Sequence, residues 1–241
     1  MLVKSRTLVL SRLRHNDTSD IACLYTEAKG SVSFVVRKSK TRSVGDMSIL
    51  FQPLNLLEIE WDYKENQSLA VVRHVHCCYP YSRLPYDPVK AAMASFLSEF
   101  LYYALRKEQA NEGLYEYLAS SLQWLDMAER GFSNFHLALQ VRLTMFLGIM
   151  PNISDYMSGA VFDMQDASYA MQVPAHGYYL KGREAAFVRL LVRMDFNNMR
   201  FFCFSTPQRS RLLDLINAYY RLHVPYFPVL KSIEVLREVF S

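Results

Sequence analysis

The spacing of apolar residues changes once along the chain, near residue 80. From Thr7 to about Cys78 it is short-period and rich in branched and aromatic side chains. Thr7 to Leu13, Ile21 to Thr26, Val32 to Val36, Leu54 to Trp61 and Leu69 to His76 are predicted as five strands. In Ser31-Val32-Ser33-Phe34-Val35-Val36 the residues Val32, Phe34 and Val36 share one face and the serines the other, as a half-buried strand requires. Asn16 to Asp20 and Glu65 to Ser68 supply turn residues, and Lys29-Gly30 a tight reversal. Five short strands in so few residues predict a small closed sheet, either an OB barrel or an SH3-like one.

Tyr79 to Pro88 holds three prolines, so it continues neither a central strand nor a helix, and it is the best domain boundary. Asp87 and Pro88 read as an N-cap followed by an N1 proline. Beyond them the period lengthens. Met93, Phe96, Leu97, Phe100, Leu101, Ala104 and Leu105 recur at intervals of three and four and form one apolar stripe. Leu114 to Met127 and Phe135 to Leu147 predict two more helices, the latter stopped by Gly148. Periodicity fades over an irregular insert at about 151–181, where a short hairpin is expected. Gly182 to Arg193 predicts a short helix, Thr206-Pro207 opens another, and a last segment runs from Leu230 to Phe240. The expected class is α+β, with a five-stranded OB-fold domain over 1–80 and a mostly helical domain over 81–241.

Composition changes this picture little. Of 241 residues, 51% are hydrophobic and 21% charged, which is ordinary for a globular chain. Four cysteines without C-x-x-C spacing fit a reducing cytosol, no signal-peptide pattern opens the chain, and apolar stretches such as Phe96 to Leu105 are broken by Ser98 and Glu99. A cytoplasmic protein with no membrane contact is expected. Charge changes the picture more. The net charge is only +4, but residues 1–42 carry nine cations (Lys4, Arg6, Arg12, Arg14, Lys29, Arg37, Lys38, Lys40, Arg42) and three acids (Asp17, Asp20, Glu27), a local excess of +6. Four of those cations leave the end of the third predicted strand within six residues. The plain reading is a solvated loop; the sharper one is a phosphate-contacting rim on a barrel.

Catalytic signatures are scarce. No phosphate loop, G-x-G-x-x-G fingerprint or G-x-S-x-G elbow occurs. His74, His76 and Cys78 would share a strand face, but their spacing is tight for tetrahedral zinc and no fourth ligand is obvious, so no metal is expected. Glu58, Glu60 and Asp62 alternate on one strand, which admits a divalent-metal nuclease but fits a wet strand face better. Glu99 is expected to edge its helix stripe. Basic residues interleaved with aromatics favour nucleic acid; there Phe34 is expected in the core and Tyr25 is a candidate stacking platform.

Several segments, in order and over nearly the full length, resemble the RecO family of recombination mediators. They are Thr7-Leu8-Val9-Leu10, the Leu24 to Gly30 turn, the basic Arg37 to Arg42 loop with Phe51-Gln52-Pro53-Leu54, Leu147-Gly148-Ile149-Met150-Pro151, and Leu230-Lys231-Ser232 with Val235-Leu236. Many relatives carry zinc-binding cysteine pairs after the L-G-y-x-P segment; here Tyr156 and Gly159 stand about there and no cysteine lies between Cys78 and Cys203, so the chain resembles the zinc-free branch. The resemblance implies a non-enzymatic, cofactor-free, nucleoid-associated protein that binds single- and double-stranded DNA, anneals complementary strands, works with RecR and the acidic C-terminal tail of single-strand-binding protein, and helps load RecA. For that tail, Arg130 and Arg142 flank the apolar third helix and are the candidate cations. A helical scaffold that holds protein partners without touching DNA is the alternative.

Overall fold

The structure is a computed structural model, described for residues 1–37, 47–65 and 67–239. Two compact units divide it. One comprises Met1–Met127 with Leu230–Val239, the other Ala128–Val229.

The first unit is built on a closed barrel of β1 (Leu2–Arg14), β2 (Ser19–Thr26), β3 (Gly30–Arg37), β4 (Leu56–Asp62) and β5 (Ala70–Tyr79), in the order β1-β2-β3-β5-β4. Neighbours are antiparallel except β3 and β5, which meet in parallel at Phe34↔Ala70 and Val35↔Val71. That seam gives the OB arrangement and decides against the SH3-like alternative. β1 is longer than its apolar core predicts because it pairs with β4 through Leu2 to Leu8 and with β2 through Thr7 to Arg14, with an irregularity between Val9 and Ser11. The predicted inner face holds. Phe34 is fully buried, edge-on to Trp61 with ring centroids 5.5 Å apart, amid Val9, Leu24 and Ile59. Gly30 sits at φ +67°, and a Cβ there would collide with the Glu108 carbonyl, so the β2–β3 reversal needs glycine on two counts.

Compact packing continues past the proline-rich linker because one buried carboxylate ties it down. Asp126, near the end of α2 (Glu112–Met127), accepts hydrogen bonds from the backbone N–H groups of Ser82, Arg83 and Leu84 (2.6–3.0 Å) and from the Ser82 and Tyr79 hydroxyls. Burial would raise its pKa, but these donors hold it below the usual carboxylate value. Its carbonyl accepts from the buried Lys90 ammonium of α1 (Pro88–Leu105) at 2.8 Å. α1 starts as expected, with Asp87 capping Val89 and Lys90. Glu99 is no stripe edge. Its carboxylate accepts from the backbone N–H groups of Lys231 and Ser232, which start α6 (Ser232–Val239), and so binds that helix to α1.

The second unit contains α3 (Phe135–Phe146), α4 (Gly182–Arg193), α5 (Thr206–His223) and a small antiparallel sheet ordered β7-β6-β8 from β6 (Val161–Asp163), β7 (Ser168–Ala170) and β8 (Tyr179–Leu180). The expected hairpin is β6–β7, with β8 as a third strand. Gly148, at φ +69°, follows α3 in the left-handed conformation of a helix stop. Tyr156 packs edge-on to Tyr169 at 5.1 Å with Arg189 over its ring at 5.0 Å, so aromatic packing occupies the place about which relatives carry cysteine pairs. His136 is buried in α3, and burial with the nearby Arg209 charge lowers its pKa to about 3.

Candidate nucleic-acid interface

The front-end cations do not form one continuous basic face among the described residues. Strand pairing puts Lys4 opposite Glu60 and Arg6 opposite Glu58, because the alternation that turns Lys4 and Arg6 outward on β1 does the same for the acids on β4. The Lys4 ammonium lies 2.8 Å from the Glu58 carboxylate and 3.9 Å from that of Glu60. Arg6 is held harder, by Glu27 and Glu116, each at 2.5 Å, with its guanidinium 5.2 Å from the Tyr115 ring centroid. Those acids raise its pKa. Arg12 pairs with Asp20 at 2.7 Å and donates to the Ser48 carbonyl, and Arg14 pairs with Asp17 at 2.5 Å. Sequence counting missed this neutralisation, although the acidic alternation of β4 carried the signal.

The register also separates the cations. Arg14 lies opposite Asp20 and Arg37 opposite Ser19, so these two share the barrel end from which residue 38 departs. Arg37 is exposed, with no ion pair among the described residues. Lys38, Lys40 and Arg42 lie outside the described residues. Lys29 stands at the opposite end, on the β2–β3 turn, its ammonium 4.5 Å from the Tyr63 ring centroid.

Lys29 also lines a polar cleft of about 260 Å³ that opens beside β3. The cleft exists because β5 pairs with β3 only from Phe34 onward, leaving Ser31 to Ser33 without that neighbour; the Ser31 N–H donates instead to the Glu108 carbonyl at 3.0 Å. The turn after β4 forms the facing wall with Tyr63, Lys64, Gln67 and Ser68, and Arg106 closes one side. The sequence marked Glu65 to Ser68 only as turn residues, and neither Lys64 nor Arg106 stood out in it.

The remaining candidates fall as follows. Tyr25 is fully buried and its hydroxyl donates to the Gln109 carbonyl at 2.9 Å, so it offers no face to a base. Burial pushes its pKa up to about 12. Asp62 is paired with Arg73 at 2.5 Å, so Glu58, Glu60 and Asp62 each neutralise a cation. His74, His76 and Cys78 are exposed on β5, His74 opposite Glu60 and His76 opposite Glu58. Among the described residues no three His, Cys, Asp or Glu side chains are grouped to hold a metal ion, and no helix is long and apolar enough to cross a membrane.

In the second unit, a small apolar hollow of about 50 Å³ is lined by Val141, Thr144, Phe162, Leu180, Val188 and Leu215, among others. Arg142 is exposed on α3, in the sequence between the lining residues Val141 and Thr144, and Arg130 is exposed before α3; neither is part of the lining.

Comparison with known families agrees with the OB barrel. The family model for the recombination protein O N-terminal region matches residues 1–81, and that for its C-terminal region matches 85–231. The chain belongs to the RecO family. Proteins named DNA repair protein RecO are similar over the whole of both chains, at 46% identity in Phocaeicola vulgatus, 44% in Bacteroides fragilis and 30% in Flavobacterium johnsoniae. RecO-family membership gives the chain a role in DNA repair and recombination. The two family models meet at residues 81–85, inside the proline-rich linker that separates the strands from the helices.

Proposed function

We propose that this RecO-family chain is a mediator that binds single- and double-stranded DNA, anneals complementary strands without nucleotide hydrolysis, and acts with RecR and single-strand-binding protein in loading RecA. The observation that carries the reading is an OB barrel whose third strand ends in exposed Arg37 and runs directly into the Lys38, Lys40 and Arg42 sequence. Base pairing and stacking drive annealing, so the protein has only to lower the repulsion between phosphate backbones, which lysine and arginine do by displacing counterions. The 1–80 module supplies that charge. Arg37, Lys38, Lys40 and Arg42 are the leading contacts, with Lys29 a further one at the opposite barrel end from Arg37, while Lys4, Arg6, Arg12 and Arg14 contribute less because carboxylates already hold them.

For the acidic tail of single-strand-binding protein, the second unit offers a shallow apolar hollow against which its hydrophobic residues can pack and the exposed Arg142 of α3 for its carboxylates, with Arg130 as a further cation. The test is to mix the full chain with complementary strands coated by single-strand-binding protein, without ATP, and follow duplex formation. Acceleration over the protein-free rate is expected. No acceleration, together with capture of repair proteins by a chain that ignores DNA, would favour the scaffold reading.

A further inference from the structure

The lysines of the cleft beside β3 differ from the cations of β1 in lacking a matching acid. Lys29 and Lys64 have no carboxylate within ion-pair distance among the described residues, and the carboxylate in the wall, Asp62, is already taken by Arg73. Arg106 adds a third cation to the lining. Three cations around one concavity favour an anion, and water-exposed lysines alone would not need a walled cleft to hold one. Its volume, about 260 Å³, lies just below the roughly 300–1,000 Å³ range of drug-sized sites and exceeds the need of a bare phosphate.

The rest of the lining says what else the occupant carries. Ser31, Ser33, Gln67 and Ser68 offer donors and acceptors for polar edges, and Tyr63 offers an aromatic wall. Trp61 forms part of the wall, and its indole Nε1 is buried with no acceptor among the described residues. Phosphate, polar edges and a flat ring together describe a nucleotide. A base stacked within a duplex cannot enter a side cleft, whereas an unstacked one can.

We infer that this cleft seats one nucleotide of a single strand, its phosphate against Lys29, Lys64 and Arg106; the inference rests on the DNA-binding reading above. The site lies at the barrel end opposite Arg37, so a strand held at both places would run along the barrel between them.

The test uses the full chain carrying Trp124→Phe, which leaves Trp61 as its sole indole. Oligothymidylate should change Trp61 emission saturably, and thymidine monophosphate should bind far more weakly. The double substitution Lys29→Gln/Lys64→Gln, at two exposed positions, should weaken oligothymidylate binding several-fold and flatten the log–log salt slope by about 0.7 per phosphate left unneutralised, about 1.4 for the pair. Anisotropy of labelled oligothymidylate with unmodified tryptophans repeats the affinity measurement independently of Trp124→Phe. Binding that leaves Trp61 emission, affinity and slope untouched by these changes overturns the cleft assignment while the DNA-binding reading stands. Monophosphate binding as tight as the oligomer's overturns the single-strand assignment. No oligothymidylate binding by the wild-type chain overturns both.

Discussion

Two groups of cations on one barrel are treated in opposite ways. Lys4, Arg6, Arg12 and Arg14 on β1 each meet a carboxylate within 2.5–2.8 Å, whereas Lys29 and Lys64 face a polar cleft and have none within ion-pair distance among the described residues. The first group fastens strands and turns to each other. The second leaves its charge available to an outside anion. A local excess of +6 in the sequence therefore overstates the charge open to an outside anion, and strand register decides which cations count.

The same contrast extends to charges withdrawn from solvent altogether, and the largest predicted effect lies there. Asp126→Ala strands three backbone N–H groups and two hydroxyls of the linker, and should cost about 3 kcal/mol in denaturant unfolding, with Asp126→Asn losing less. A loss below about 0.5 kcal/mol would show that the linker is held by other interactions. Because the folded pKa of Asp126 is depressed, its contribution is present above the unfolded value of about 3.9 and is lost as pH falls through the lower folded value.

His136 comes next. Its folded pKa of about 3 lies below the ordinary 6.5, so between those values only the unfolded chain takes the proton, and stability falls with pH. The slope should approach about 1.4 kcal/mol per pH unit within that window and be absent above it. His136→Gln, which does not titrate, should remove the slope; a profile unchanged by that substitution contradicts the assignment. Smaller still is Arg6→Met. Its ion pairs are two-fifths exposed and screened, so about 1 kcal/mol or less is expected from thermal unfolding.

Much of the fold was legible because its signals are local. Asp87-Pro88 gave the start of α1, Gly182 to Arg193 matches α4, and the Val32, Phe34, Val36 alternation gave the inner face of β3. What escaped depends on partners distant in sequence. Glu99 looked like the edge of a stripe because the N–H groups it binds are 132 and 133 residues away. Tyr25 looked like a platform because the Gln109 carbonyl that holds its hydroxyl belongs to a later segment. The neutralised cations belong to the same class, since Arg6 meets Glu27 and Glu116 only after β1 is paired and α2 packed. The cleft was invisible because it is made by pairing that stops short between β3 and β5.

The most direct measurement is the salt dependence of single-strand binding by three full-length proteins. The wild-type chain should lose affinity linearly on a log–log plot, and the variant with Arg37, Lys38, Lys40 and Arg42 reversed to Glu should flatten that slope by about 0.7 for each phosphate it no longer neutralises. Arg6→Met should keep the wild-type slope despite its lower thermal stability. An unchanged slope in the reversed variant, or an equal flattening in Arg6→Met, would contradict the division between cations that hold the barrel and cations proposed to hold DNA.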